Sequence, residues 1–182
     1  ILPLFFVNFE QFIKLYSSYV NLLINDHDAS YGYSVMGWLH SWFSFEINKN
    51  MIVAVGVVIF LLPFFKIKMY KEFIFRYLIV SSILIWIVIF NHKAESPTFI
   101  LAMSGIALWF VKNENNTLNF VLFLSAFILT SLSPTDIFPR YLREEFVKPY
   151  VLKAFPCILI WIKIIYDMIK LRSENYTIQH ME

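Results

Sequence analysis

The sequence predicts an all-α fold, a polytopic transmembrane helix bundle, and three observations predict it. Hydrophobic residues make up 59% of the 182 positions and charged residues only 15%, with a mean hydropathy of +0.63. A soluble domain of this length sits nearer half apolar and a quarter charged. The apolar residues also fall into long runs, and most of the charge collects between the runs. So much apolar surface exceeds what one globular core can hide, and lipid is the solvent that fits it. The 20 Phe, 10 Tyr and 5 Trp agree, because amphipathic rings favour the headgroup level. A net charge of +2 is too small to suggest a nucleic-acid partner. The single Cys157 excludes an internal disulfide and reads as a small packing residue.

The chain opens inside an apolar run, Ile1–Phe9. The run is shorter than the roughly 20 residues a span needs and lacks the basic start of a signal peptide. It reads as the end of a helix that begins earlier, so the chain is expected to be the C-terminal part of a longer protein. Over residues 10–24, Phe12, Leu15, Tyr16, Tyr19, Leu22 and Leu23 share one helical face, and Glu10, Lys14, Ser17, Ser18 and Asn21 lie off it. Either a helix lying in the membrane interface or one packed on neighbours with a wet face has this pattern.

The polar stretch Asn25–Ser34 follows. Asp26, His27 and Asp28 are possible metal ligands, but adjacent residues seldom converge and no second cluster is visible, so no metal is assigned. A capping or acceptor-contacting role suits Asp26 better, and Gly32 gives the freedom a turn needs. Val35–Leu39 with Trp42 and Phe43 then forms a short aromatic segment suited to the interface.

Five spans are expected at about 50–65, 73–90, 97–111, 118–133 and 150–169, several of them short and therefore oblique or extended by interfacial residues. Pro63 and Pro156 stand near span ends, where lost helical hydrogen bonds matter least. Lys66, Lys68, Lys71 and Arg76 between the first two spans place that loop, and with it Lys112 and the Lys170–Arg172 tail, on the cytoplasmic side. The outer loops are then about 10–49, 91–96 and 134–149.

Asn91-His92-Lys93-Ala94-Glu95-Ser96-Pro97 crowds base, acid, imidazole and hydroxyl into a short connection between two spans. It is either a plain polar hairpin or part of a site, since charges kept at a membrane boundary pair, bind something or reach water. Pro97 suits the first turn of the next helix. The loop 134–149 mixes Arg140, Arg143, Glu144, Glu145 and Lys148 with rings, and a short helix there would turn Tyr141, Leu142 and Phe146 toward lipid. Three charged, aromatic-rich loops on one face suit an enzyme that handles a lipid phosphate: cations hold the phosphate, rings pack on sugars, carboxylates take hydroxyls or protons.

Asn91–Phe99, Thr130-Ser131-Leu132-Ser133-Pro134-Thr135-Asp136-Ile137-Phe138-Pro139 and Lys153-Ala154-Phe155-Pro156-Cys157 together resemble glycosyltransferase family 87. The resemblance implies the C-terminal part of a GT-C-type enzyme of the bacterial inner membrane. Such an enzyme transfers a hexose, commonly mannose, from a polyprenyl-phosphate sugar donor to a glycan or lipid acceptor outside the cytoplasm, without a cofactor. Many relatives carry an Asn-Gln-Ser element where Gly32-Tyr33-Ser34 stands, and only Ser34 matches. The family's catalytic carboxylate is expected upstream of Ile1, so no catalytic residue is named. Under this reading His92, Lys93, Arg140 and Arg143 are candidates for the donor phosphate, and Asp26, Ser34 and Glu95 for acceptor or sugar contacts; Glu95 could equally just pair with Lys93. The rival class is a transporter or flippase for lipid-linked sugars, which should carry charges or broken helices at mid-membrane depth. Here Arg76, Lys153, Lys163 and Asp167 all lie near span ends.

Overall fold

The computed structural model describes residues 7–29, 31–44, 48–112 and 116–171, the side chains of 23–29 excepted. Among these residues there are helices and turns and no strand, so the chain is all-α as expected. The first six residues, in which the opening apolar run begins, and the tail beyond Leu171 lie outside the described residues. Contacts divide the chain into two units, Ile1–Ser30 and Tyr31–Glu182.

The first unit holds one helix, α1 (Phe9–Ala29), whose first N–H is taken by the Asn8 side chain at 2.8 Å. Phe9, Ile13, Leu15, Tyr16, Tyr19 and Leu22 are all exposed on it. The helix expected over 10–24 is present, but it continues through Asn25, Asp26, His27 and Asp28, where the sequence suggested a polar loop. Those residues are middling helix formers, and no Gly or Pro stands before Gly32 to stop them.

In the second unit, α2 (Val35–Phe43) begins at Ser34, whose hydroxyl accepts the Gly37 N–H at 3.3 Å, and ends at Ser44 in the left-handed region with φ 52°. Then come α3 (Lys49–Leu61), two 3₁₀ turns (Leu62–Phe65 and Ile67–Lys71) and α4 (Phe73–Ile89). Pro97 sits in a 3₁₀ turn, Ser96–Thr98, leading into α5 (Phe99–Lys112), the place its missing N–H predicted. Next, α6 (Thr117–Ala126) widens into a π-turn over Phe127–Leu132. The 134–149 loop carries the short helix expected of it, α7 (Arg140–Leu142), which also widens into a π-turn, Arg143–Val147. Last is α8 (Phe155–Lys170), with Pro156 in its first turn.

The helices fall on the five apolar runs, but the expectation that each run makes a complete span is not met. Among the described residues no helix is both long and apolar enough to cross a membrane. Even α4, at 17 residues, rises only about 26 Å. The cause lies in the punctuation of the runs: Pro63 converts the end of the first to 3₁₀, and the 150–154 segment is a turn, so the last helix starts at Phe155.

The core lies where α4 packs on α5 and α8, with Phe75, Ile85 and Ile89, then Phe99, Ile106 and Trp109, then Ile160, Trp161 and Ile164 buried among one another. Polar pairs cross the same seams. The Ser81 hydroxyl donates to the Gly105 carbonyl at 2.5 Å, and the Trp161 indole N–H donates to the Ser82 hydroxyl at 3.0 Å. Each buries a hydroxyl without leaving it unsatisfied.

The bundle has two distinct ends. At one, the Lys66 ammonium donates to the carbonyls of Ile169 and, at 2.9 Å, Leu171, capping α8, while Lys112 lies over the rings of Phe73 and Tyr77. At the other, the Tyr33 N–H donates to the Ala94 carbonyl at 3.2 Å, and Ser41 and Trp42 donate to the carbonyls of Pro149 and Tyr150, the latter at 2.8 Å. The basic 66–72 loop and the end of α8 therefore share one end, and the connections 31–34, 91–98 and 148–154 share the other.

A Cβ on Gly105 would lie 2.8 Å from the Ser81 carbonyl oxygen and 3.0 Å from Ile85 and Leu84 side-chain carbons. Gly105→Ala should therefore destabilise by about 1–3 kcal/mol as α4 and α5 are forced apart. Leu101→Ala, on the outward face of α5, should cost under about 0.5 kcal/mol. Thermal unfolding followed by tryptophan fluorescence checks both.

Candidate functional site

Three stretches far apart in sequence meet at the 91–98 end, and Lys153 joins them. This side chain is 2% exposed. Its ammonium lies 3.5 Å from the Ser96 carbonyl, 5.0 Å from the centre of the Phe99 ring and 5.9 Å from that of Tyr33. Its own carbonyl accepts the Thr130 hydroxyl at 2.9 Å, and the Thr130 oxygen is 3.5 Å from the Cys157 sulfur. Among the described residues no carboxylate comes within salt-bridge distance of it. Two ring faces return about 0.5–2 kcal/mol each, and a carbonyl at 3.5 Å is at the limit of a hydrogen bond. Burying an ammonium costs several kcal/mol, so these contacts leave much of its charge unanswered.

The residues around Lys153 wall one end of an open groove of about 680 Å³ between α5 and the α6 π-turn. Ser96, Pro97, Thr130, Ser131 and Pro134 line its polar end; Phe99, Ile100, Met103, Ala107, Phe123 and Phe127 line the mostly apolar remainder. The one hydroxyl in that remainder, Ser104, donates to the Ile100 carbonyl at 2.9 Å. The volume is in the range of sites for small ligands, and one polar end on an apolar trough suits an amphiphile. The groove's far wall is the π-turn, whose extra residue per turn brings Thr130 round to the Lys153 carbonyl; π-turns are frequent at functional sites. Val151, two residues before the lysine, is at φ 51°, a strained conformation for a β-branched residue.

The residues expected to bind ligand are distributed unevenly about this groove. Arg143 is tied to its rim: the guanidinium donates to the carbonyls of Pro134 at 3.5 Å and Thr135 at 3.3 Å, and stands 3.6 Å from Glu144. Lys148 bonds both Glu144 oxygens, at 2.8 and 2.7 Å, which holds that carboxyl below its usual range. Any stability from this exposed pair is small, is present above the ordinary carboxylate pKa and is lost as pH falls through the lowered one. Arg140 is exposed at the start of α7.

Lys93 is exposed, with its N–H on the Asn91 side chain at 2.9 Å, and His92 is half-buried beside it. The Glu95 N–H donates to the Thr98 hydroxyl at 2.8 Å, and that hydroxyl donates back to the Glu95 carbonyl at 2.6 Å, so this stretch is a built turn. Ser34 is buried with its hydroxyl engaged twice, donating to the Tyr31 carbonyl at 2.6 Å and accepting from Gly37; this is a helix-capping geometry. Asp26 belongs to α1 in the other unit, and its side chain lies outside the described residues.

Lys153 itself went unassigned in the sequence because it stands near the start of an apolar run and reads as a boundary charge. The signal that could have found it is its isolation: from Tyr150 to Ile162 it is the only charged residue. No family model, curated protein or solved structure matches the chain.

Gly32 locks the turn at 31–34 against the 91–94 connection. Its φ is +51°, and a Cβ there would run into the His92 carbonyl. Gly32→Ala should cost more than about 1 kcal/mol and speed hydrogen exchange at the Tyr33 amide, which bonds Ala94. Exchange mass spectrometry over residues 31–44 and 91–98 measures it.

Proposed function

We propose that this chain is part of a membrane-embedded glycosyltransferase that moves a sugar from a polyprenyl-phosphate donor to an acceptor outside the cytoplasm. The observation that carries the reading is the convergence at Lys153. The stretches 91–99, 130–139 and 153–157, on which the resemblance to glycosyltransferase family 87 rests, are joined there by Ser96, Phe99, Thr130 and Cys157. A sequence likeness scattered over unrelated surfaces would lend a site no support. One that folds into a single polar end beside an apolar groove does.

Membrane embedding is supported by the outer surface of the bundle. Val55 and Val58 on α3, Ile87 on α4, Ile100 and Val111 on α5, and Phe120 and Val121 on α6 are exposed. Such a surface is costly in water and suits lipid. Helices this short would meet a bilayer by thinning it locally and by extending flanking side chains to the interface. In the reaction, a carboxylate removes the acceptor proton, the acceptor oxygen bonds to the anomeric carbon, and the bond from that carbon to the phosphate breaks. The polyprenyl phosphate leaves with the electron pair, and cations stabilise the charge that develops on it.

Two measurements test the reading. Membranes bearing the full-length protein should transfer labelled hexose from a polyprenyl-phosphate hexose; no transfer from mannose, glucose or galactose donors would refute the activity. In a Cys157→Ser background, single cysteines at Lys68 and Tyr141 report topology in intact cells. An impermeant maleimide should label position 141 and spare 68, and the reverse pattern would overturn the orientation.

A further inference from the structure

We infer that Lys153 meets the phosphate headgroup of a single-chain anionic lipid whose hydrocarbon chain lies in the groove between α5 and the α6 π-turn. Identifying the natural lipid as the sugar donor rests on the glycosyltransferase reading; the binding itself does not.

Charge points to this site first. An ammonium has three donors, and among the described residues Lys153 offers them one carbonyl at 3.5 Å and two ring faces. Among the described residues no carboxylate pairs with it, so the position of its counter-ion is open to something that binds. The helix behind it points the same way. Lys153 stands two residues before α8, whose N-cap, Ala154, offers no side-chain cap. The positive end of that helix dipole disfavours a cation and favours an anion, so an anion here is attracted by both.

Shape agrees. Ser96 and Phe99, which touch the ammonium, also line the groove. A ligand with its chain along Ile100, Met103 and Ala107 would bring its head to Ser96, within reach of a lysine on a flexible four-carbon stem. A free phosphate would leave the apolar length of the groove unused. A neutral lipid would leave the charge unanswered. Lys93 and Arg140, exposed at the same end, carry no comparable burial.

The test is isothermal titration of farnesyl phosphate into the full-length protein in neutral detergent, with farnesol and inorganic phosphate as competitors. Saturable binding is expected, and Lys153→Met should weaken it at least tenfold. Ala107→Phe, at an exposed groove position, should do the same while keeping the lysine, and it serves if Lys153→Met does not fold. Lys68→Ala, at the other end of the bundle, should bind as wild type. Farnesol should compete poorly, which assigns the head to Lys153, and inorganic phosphate should compete poorly, which assigns the chain to the groove. Wild-type affinity in a folded Lys153→Met or in Ala107→Phe would overturn the proposal. So would displacement by farnesol or inorganic phosphate at concentrations matching farnesyl phosphate. Tight binding without any sugar transfer would keep this site and refute the glycosyltransferase reading alone.

Discussion

The approach of α5 to α4 at Gly105 governs the polar end of the bundle. With no side chain at 105, the Ser81 hydroxyl reaches the Gly105 carbonyl, and the two helices close to backbone distance. Small residues and interhelical hydroxyl bonds are what draw helices together when the surroundings are as apolar as the interface. That crossing fixes the connection between the two helices. The Asn91–Thr98 turn can then be short and held by its own hydrogen bonds, from the Asn91 side chain on the Lys93 N–H to the Thr98 hydroxyl on Glu95. Ser96 and Phe99 reach Lys153 because the turn is placed this way. A wider α4–α5 spacing would carry them off and open the groove wall.

The opposite end depends on a different use of lysine. Lys66 spends its charge on the last carbonyls of α8, where the helix dipole welcomes a cation, and Lys112 covers two rings. Both are exposed or partly so, both have several partners, and both stabilise what they touch. Lys153 stands at the wrong end of the same helix, buried, with weaker partners. One helix thus carries a satisfied cation at its C-terminus and an under-satisfied one at its N-terminus. Structural roles explain the first, and the second is the feature on which the lipid-phosphate proposal rests.

The helices were legible because each apolar run is closed by charge or proline, and the helix in 134–149 because its rings and charges alternate at helical spacing. What failed was length. Hydropathy locates an apolar run but does not report that Pro63 tightens its end or that residues 150–154 turn before Pro156 starts a helix. The polar stretch after residue 24 was misread for a related reason: Asn and Asp look like loop residues, yet α1 absorbs Asn25, Asp26 and Asp28, with His27 between them, without a break. Of the candidate site residues, the Asn91–Ser96 group lies at the end of the bundle away from the basic 66–72 loop, because two runs flank it. Ser34 was singled out by type, and its hydroxyl is spent on capping. Lys153 was passed over because a charge beside an apolar run is ordinarily a boundary marker; only folding shows that this one points into the bundle.

The two π-turns and Val151 belong to one geometrical problem. Between the end of α6 at Ala126 and the start of α8 at Phe155 the chain must leave the bundle, run across its end and return within 28 residues. An α-helix advances side chains by a fixed angle, so a hydroxyl at 130 and a lysine at 153 meet only if the intervening backbone is adjusted. The Phe127–Leu132 π-turn rotates Thr130 inward, the Arg143–Val147 π-turn resets the phase of α7, and the left-handed Val151 reverses the chain onto α8. Strain of about 1–3 kcal/mol at a β-branched left-handed residue persists only where its surroundings impose it. Here Val151 is buried, its N–H donates to the Lys148 carbonyl at 3.2 Å and its carbonyl accepts from Ala154 at 3.1 Å. A glycine would relieve the strain, yet the chain keeps a branched, packed side chain. Rigidity at the approach to Lys153 is what that choice secures, and a buried charge proposed to meet a ligand at one position needs a rigid mount.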